Sequence, residues 1–340
     1  MHDIVIRGGK IIDGTGKTAF TGDVAIADGR IAALGGKQGP AKRNIDADGL
    51  VVTPGWVDAH THYDGQAMWD PLLAPSCWHG VTTVLFGNCG VGFAPVKKQH
   101  RGALMDLMEG VEEIPNPVLA AGLNWEWETF PQFMDSLERR PHAIDIASVA
   151  AIAAREGRPP DEVAYDYMTG GEGQYLYFPV VNYVSGDHAP ILEMLNDPAC
   201  LLGLSDGGAH CTSIVDSGVP TFMLMHWGRD RSRGPRLPLE HLVKRQTSET
   251  ADFFGFSDRG RLAPGLRADI NVIDFDNLKV RKPELVHDMP AGGPRFVQHV
   301  QGYETTLVAG TPIFERGEHT GAMPGRLVRA GRESAVLAAE

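Results

Sequence analysis

Both ends of the chain are patterned as short β-strands. Residues 3–7, 10–12, 23–27 and 30–34 are brief runs of apolar and β-branched residues, separated by Gly-Gly, Asp-Gly-Thr-Gly and Asp-Gly turn signals. That pattern predicts hairpins. Near the other end Ala268 to Phe275, Val297 to Val300, Thr305 to Val308 and Thr311 to Phe314 repeat the style. The two ends are expected to pair into one composite β domain, residues 1–53 and 262–333, around an inner domain of residues 54–261.

The inner region changes texture. Gly55 to His62 and Val81 to Asn88 are nearly continuous apolar runs and are expected as buried strands. Gln99 to Glu112, Thr129 to Arg139, Ser148 to Glu156 and Pro238 to Phe254 are expected as helices; in the last, Leu239, Leu242, Val243, Ala251 and Phe254 fall close to helical spacing. Strands alternating with helices argue for an α/β core. No 20- to 50-residue repeat or low-complexity tract points to a solenoid or a disordered regulator.

The chain has 340 residues, 43% of them hydrophobic, enough for a large core. Its 31 Lys and Arg against 43 Asp and Glu give a formal net charge of −12, which repels phosphate backbones and anionic membranes. Nucleic acid and membrane are therefore not expected as partners. The first residues, MHDIVIRGGKIIDG, lack the basic stretch and apolar core of a leader, so a cytoplasmic location is expected. The cysteines at 77, 89, 200 and 211 are too few for a disulfide framework and are read as thiols.

The candidate chemistry sits where apolar runs end. In Val-Asp-Ala-His-Thr-His, His60 and His62 are two apart, and on a strand such residues point to the same face. Two converging metal ligands are the favoured reading over two polar residues closing a strand. Asp58 shares their parity, either as a carboxylate orienting an imidazole or as a strand-end charge. Cys89 ends the run Val-Thr-Thr-Val-Leu-Phe-Gly-Asn-Cys-Gly between Gly87 and Gly90, as a ligand or as a small buried apolar residue. Asp206 ends Cys-Leu-Leu-Gly-Leu-Ser and precedes two glycines, as a carboxylate placed to take a proton from water or as part of an ordinary turn. His210, past that turn, is read as structural or as standing behind the site. Polar groups at the carboxyl ends of several apolar strands match where barrel enzymes place their sites.

Four segments carry a family resemblance: PGWVDAHTHYDG (Pro54 to Gly65), WHGVTTVLFGNCGVGFAP (Trp78 to Pro95), GLSDGGAH (Gly203 to His210) and GRLAPGLRADINVID (Gly260 to Asp274). In these the chain resembles the amidohydrolase superfamily, most closely its N-acyl-D-amino-acid deacylase (D-aminoacylase) branch, to which the Asn-Cys-Gly segment is the most specific pointer. The resemblance implies an α/β fold, a metal-dependent hydrolase (β/α)8 barrel with a small β-sandwich domain built from both termini. It also implies zinc as cofactor, His60, His62 and Cys89 as metal ligands, Asp206 as the catalytic carboxylate, and a small-molecule N-acyl amino acid, of D configuration, as substrate. It assigns no substrate-binding residue.

Spacing departs from the family. Only roughly 150 positions separate Asp58 from Asp206, whereas a (β/α)8 barrel takes about 250 residues. The resemblance is continuous to about Ile146 and resumes from about Ser148, so the barrel is expected to be internally truncated, without the family's later metal histidines. His100, His142 and His188 follow no strand-like run ending in a ligand-rich turn and are not promoted. The surviving strands are expected to leave open edges or to recruit a second copy as a homo-oligomer. Two other readings stay open: a cyclic amidase of dihydroorotase or hydantoinase type, against which the Asn-Cys-Gly segment argues, and a catalytically silent remnant with a binding or structural role.

Overall fold

The computed structural model describes residues 1–148, 175–176, 187–213 and 215–328. Strands from both ends of the chain form one nine-stranded sheet. The first part supplies β1 (His2–Ile11), β2 (Phe20–Ala27), β3 (Arg30–Leu34), β4 (Ala41–Asp46) and β5 (Val51–Pro54). After β6 to β8, described below, the last part supplies β9 (Ile270–Ile273), β10 (Tyr303–Val308), β11 (Thr311–Glu315) and β12 (Glu318–His319). The two parts join where β5 pairs antiparallel with β9, Val52 opposite Val272. β1 serves two parallel partners: Ile4 to Arg7 face β4, Lys10 and Ile11 face β5, and the pairing of β1 with β2 is irregular between Ile6 and Gly9. Gly8-Gly9, expected to turn the chain between residues 3–7 and 10–12, is instead a bulge inside the single strand β1, which bends the strand without ending it. Ile4, Ile6, Val24, Ile26, Val52, Ile270 and Leu307 bury one core of this sheet.

One residue after β5 the chain enters a second, parallel sheet of β6 (Trp56–Thr61), β7 (Val81–Phe86) and β8 (Asp145–Ser148), in that order. Every residue of β7 is buried, Thr82 and Thr83 included, which is why its sequence reads as a nearly continuous apolar run. On the outer edge of β6, Thr61 bridges Gly207 in parallel. The outer edge of β8 is also paired: Val328 donates to the Ile146 carbonyl at 2.8 Å, the Ile146 amide to the Arg326 carbonyl at 3.1 Å, and the Gly325 amide to the His142 carbonyl at 2.8 Å. The edge expected to stand open is thus covered here by the chain's own residues 325–328.

Helices α1 (Arg101–Glu112), α2 (Asn116–Gly122) and α3 (Phe130–Glu138) lie between β7 and β8. The α3 helix opens with a capping box, Thr129 with Gln132, as its sequence suggests. The expected helix over Pro238 to Phe254 is two, α4 (Leu239–Gln246) and α5 (Ser248–Phe253), broken at Thr247 with φ −131° and ψ −86°. Ser148, expected to start a helix, ends β8, and the rest of that expected helix lies outside the described residues. Val297 to Val300 is likewise two short strands, one ending at Val297 and one starting at Val300.

A buried ionic network ties the two sheets together. Asp145, at the head of β8, accepts from Arg259 at 2.5 Å, from Arg267 at 3.0 Å and from the Arg326 amide at 2.9 Å, while Arg267 also reaches Asp269 beside β9. Among the described residues no helix is long and apolar enough to cross a membrane.

Candidate metal centre

The carboxyl ends of β6 and β7 and the 205–208 turn meet at one point. The parity expected on β6 holds: His60 lies on the strand and His62 just past it, their rings 5.4 Å apart. Cys89 stands two residues past Gly87 and just before Gly90, whose φ values of 78° and 85° turn the chain back over the strand ends. The Asn88 amide donates to the Ala59 carbonyl at 3.0 Å, anchoring that turn to β6. One ligand atom each from His60, His62 and Cys89 lies within 4.8 Å of the others, and among the described residues this is the one such group of three.

Asp206 faces the same point. Its Oδ1 is 3.0 Å from His62 Nε2 and 3.4 Å from His60 Nε2, and Oδ2 is 3.8 Å from His210 Nε2. No regular strand carries it. The His62 amide donates to the Gly207 carbonyl at 2.8 Å, and Gly208 at φ 93° lets the turn press close: a Cβ there would lie 2.9 Å from the Tyr63 ring and 3.0 Å from the His62 backbone. The glycines after Asp206 are needed for that approach.

Asp58 does not orient an imidazole. Its carboxylate accepts from the His60 and Ser205 amides, both at 3.2 Å, and from the Ser205 hydroxyl, so it clamps the 205–207 turn to β6. Burial pushes Asp58 up to about 7 against those hydrogen bonds. His142, not promoted from the sequence, is buried with Nε2 3.1 Å from the Leu137 carbonyl, and His188 lies 3.4 Å from His226.

The residue that spacing missed is Glu112. It closes α1 with its side chain only 3% exposed and puts Oε1 3.2 Å from His62 Nδ1. Its sequence signal, an acid in the last turn of an amphipathic helix, does not distinguish it from any solvated glutamate.

The charges here are strongly coupled. Burial disfavours the cation on His62, but Asp206, Cys89 and Glu112 outweigh it and lift its pKa to about 10; His60 is raised by Cys89 and Asp206 against its burial and the neighbouring His62. The Cys89 thiol is lowered to about 6, chiefly by hydrogen bonds with His60 and His62. Burial raises Glu112 and Asp216, whereas His62 and the other histidines hold Asp206 below the usual carboxylate range despite its burial.

These residues fit a divalent cation. Two imidazoles and a readily ionised thiol are the donor types zinc takes. Asp206 Oδ1 is buried without a well-aligned hydrogen-bond partner, although both Nε2 atoms are close. A cation beside that oxygen would complete it.

The family model of the amidohydrolase family matches residues 43–158 and 147–314. Over 145 residues the chain is 36% identical to an N-acyl-D-aspartate deacylase of Alcaligenes xylosoxydans xylosoxydans, covering 42% of this chain and 27% of that protein. The matched stretch is thus about a quarter of the relative's length. In structure, the chain resembles a D-aminoacylase described as defining a novel subset of amidohydrolases (TM-score 0.69, 20% identity, 96% of this chain and 99% of that one). It also resembles an N-acyl-D-glutamate deacylase from Bordetella bronchiseptica, solved with zinc and a phosphonate inhibitor (TM-score 0.57, 19% identity, 97% and 100%). At those identities the likeness is one of fold. With a family match over most of its length and His60, His62, Cys89 and Asp206 gathered at the strand ends, this chain belongs to the amidohydrolase family.

Proposed function

We propose that the chain binds zinc through His60, His62 and Cys89 and hydrolyses the amide bond of N-acyl amino acids, with Asp206 as proton shuttle. The observation that carries the reading is the convergence of the three ligand atoms within 4.8 Å, with Asp206 Oδ1 at 3.0 and 3.4 Å from the two imidazoles. When bound, zinc supplies Lewis acidity for a carbonyl and for water. The chain's own part is acid–base work: Asp206 Oδ2, turned away from the imidazole pair, takes a proton from the attacking water and returns it to the leaving nitrogen. Asp58 and Ser205 hold the Asp206 turn against β6 while this happens. The D configuration is favoured by the deacylases similar to this chain, named for N-acyl-D-aspartate and N-acyl-D-glutamate.

We infer further that the chain keeps the first and last parts of the family's barrel and lacks its middle, since the family match falls in two pieces that meet over residues 147–158. On this reading residues 1–53 and 262–333 are the composite β domain, residues 54–261 the incomplete barrel, and turnover is slow for want of the later ligands. The test is zinc content after mild dialysis, together with hydrolysis of N-acetyl-D-aspartate, -glutamate and -leucine and their L forms under added zinc. Zinc that is lost in a His60→Ala, His62→Ala double variant, and D-selective turnover below the ~10 s⁻¹ typical of enzymes, are expected. Equal zinc in both proteins would overturn the metal assignment, and preference for the L forms would overturn the substrate assignment.

A further inference from the structure

We propose that Glu112 is a positioning residue for the metal centre, holding the His62 ring with its proton on Nδ1 so that Nε2 is the nitrogen presented to a metal; this rests on the zinc reading above.

The argument starts from a placement that needs a reason. Glu112 ends α1, where the helix dipole is negative and an acid is disfavoured even at the surface. It is also buried, at 2% exposure, which costs a carboxylate more. Among the described residues no Lys or Arg lies within ion-pair distance of it, and its ion-pair partner is His62, with Oε1 3.2 Å from Nδ1. The helix stops there because Glu113 turns into the left-handed region at φ 54°, so Glu112 is set at the helix end and its side chain reaches inward, while Glu113 reaches Thr212 instead.

His62 is held on both sides: Glu112 at Nδ1 and Asp206 at Nε2, 3.0 Å away. A neutral imidazole has one N–H and one lone pair, and whichever nitrogen carries the proton cannot bind a metal. Without a metal both nitrogens carry protons, one toward each carboxylate; a metal displaces the proton on Nε2, on the side of Asp206, and the Glu112 carboxylate keeps the other on Nδ1. Without Glu112 the tautomers are closer in energy, and part of the population offers the wrong nitrogen. Asp58, the carboxylate that sequence parity suggested for such a task, is occupied with Ser205. Glu112 comes from a different element, about 50 residues further along the chain.

The experiment measures zinc affinity by competition with a chromophoric chelator for the full chain, Glu112→Gln and Glu112→Ala, alongside ¹⁵N NMR of the imidazole nitrogens of the zinc-loaded proteins and thermal unfolding. Carboxylates behind ligating histidines typically contribute 10–100-fold in metal affinity. Glu112→Ala is expected to lose that amount, and Glu112→Gln, whose amide oxygen still accepts from Nδ1, to lose less. The His62 ¹⁵N pattern is expected to be Nδ1-protonated in the parent and Gln proteins and perturbed in the Ala protein. If all three proteins bind zinc equally, or the ring nitrogens are unchanged in Glu112→Ala while only its unfolding temperature falls, Glu112 is structural and the inference fails alone. If the parent binds no zinc, the metal reading fails and takes the inference with it.

Discussion

His79 makes the stability of this fold acid-sensitive by an amount the structure defines. The ring is fully buried, Nε2 2.9 Å from the Gln298 carbonyl and Nδ1 2.8 Å from Thr221 Oγ1. The carbonyl can only accept, so the proton sits on Nε2 and Thr221 donates to Nδ1. The chain of donors runs on: Trp56 Nε1 donates to the Tyr303 hydroxyl at 3.0 Å, and that hydroxyl is 3.3 Å from Thr221 Oγ1. A second proton on His79 would turn the Thr221 hydroxyl out of its bond and place a charge in the core. Burial accordingly lowers His79 from its ordinary 6.5 to about 4, the Gln298 bond opposing and nearby His299 adding to the fall. The unfolded chain therefore binds the extra proton first. The contribution of His79 is fully present above pH 6.5 and disappears as pH falls to about 4. At ~1.4 kcal/mol per pH unit, that difference comes to ~3 kcal/mol. The assay is urea unfolding of the parent and of His79→Gln at steps from pH 8 to pH 4. The variant is expected to be less stable at pH 8, with the gap closing by ~3 kcal/mol across the acid range. A gap that stays constant, or an NMR titration placing His79 near 6.5, would refute the reasoning.

Asp206→Asn should retain zinc, since the three ligand side chains are untouched, while any hydrolysis of N-acyl-D-amino acids falls by about 10²- to 10⁴-fold; unchanged turnover in a zinc-loaded variant would remove Asp206 from the chemistry. Asp145→Asn leaves Arg259 and Arg267 buried without their shared carboxylate and should cost ~3–5 kcal/mol in denaturant unfolding, a loss under ~1 kcal/mol contradicting the network's importance. Gly325→Ala would put a Cβ 2.2 Å from the Ile144 carbonyl oxygen, so it should displace residues 325–328 from the edge of β8 and increase self-association in sedimentation; a variant that sediments like the parent would show that the edge does not need this cover.

How much of this was legible beforehand depended on the range of the interaction. Turn signals placed most of the terminal strands, though Gly8-Gly9 is a bulge within β1 and not a turn, and nearly continuous apolar runs placed β6 and β7, because these patterns are set by neighbours along the chain. The spacing of two between His60 and His62 was enough to put both on one face, since a strand repeats every two residues. The four-residue β8 was too short to stand out, and the break at Thr247 leaves no mark in the helical periodicity around it. Tertiary structure alone decided which carboxylate serves which partner: Asp58 shares the parity of the histidines yet holds Ser205, and Glu112 meets His62 only because α1 ends over the strand tips. It alone decided that residues 325–328 would lie along β8. Local sequence determines which way a side chain points on its own element, but what it meets there is set by the packing of elements distant in the chain.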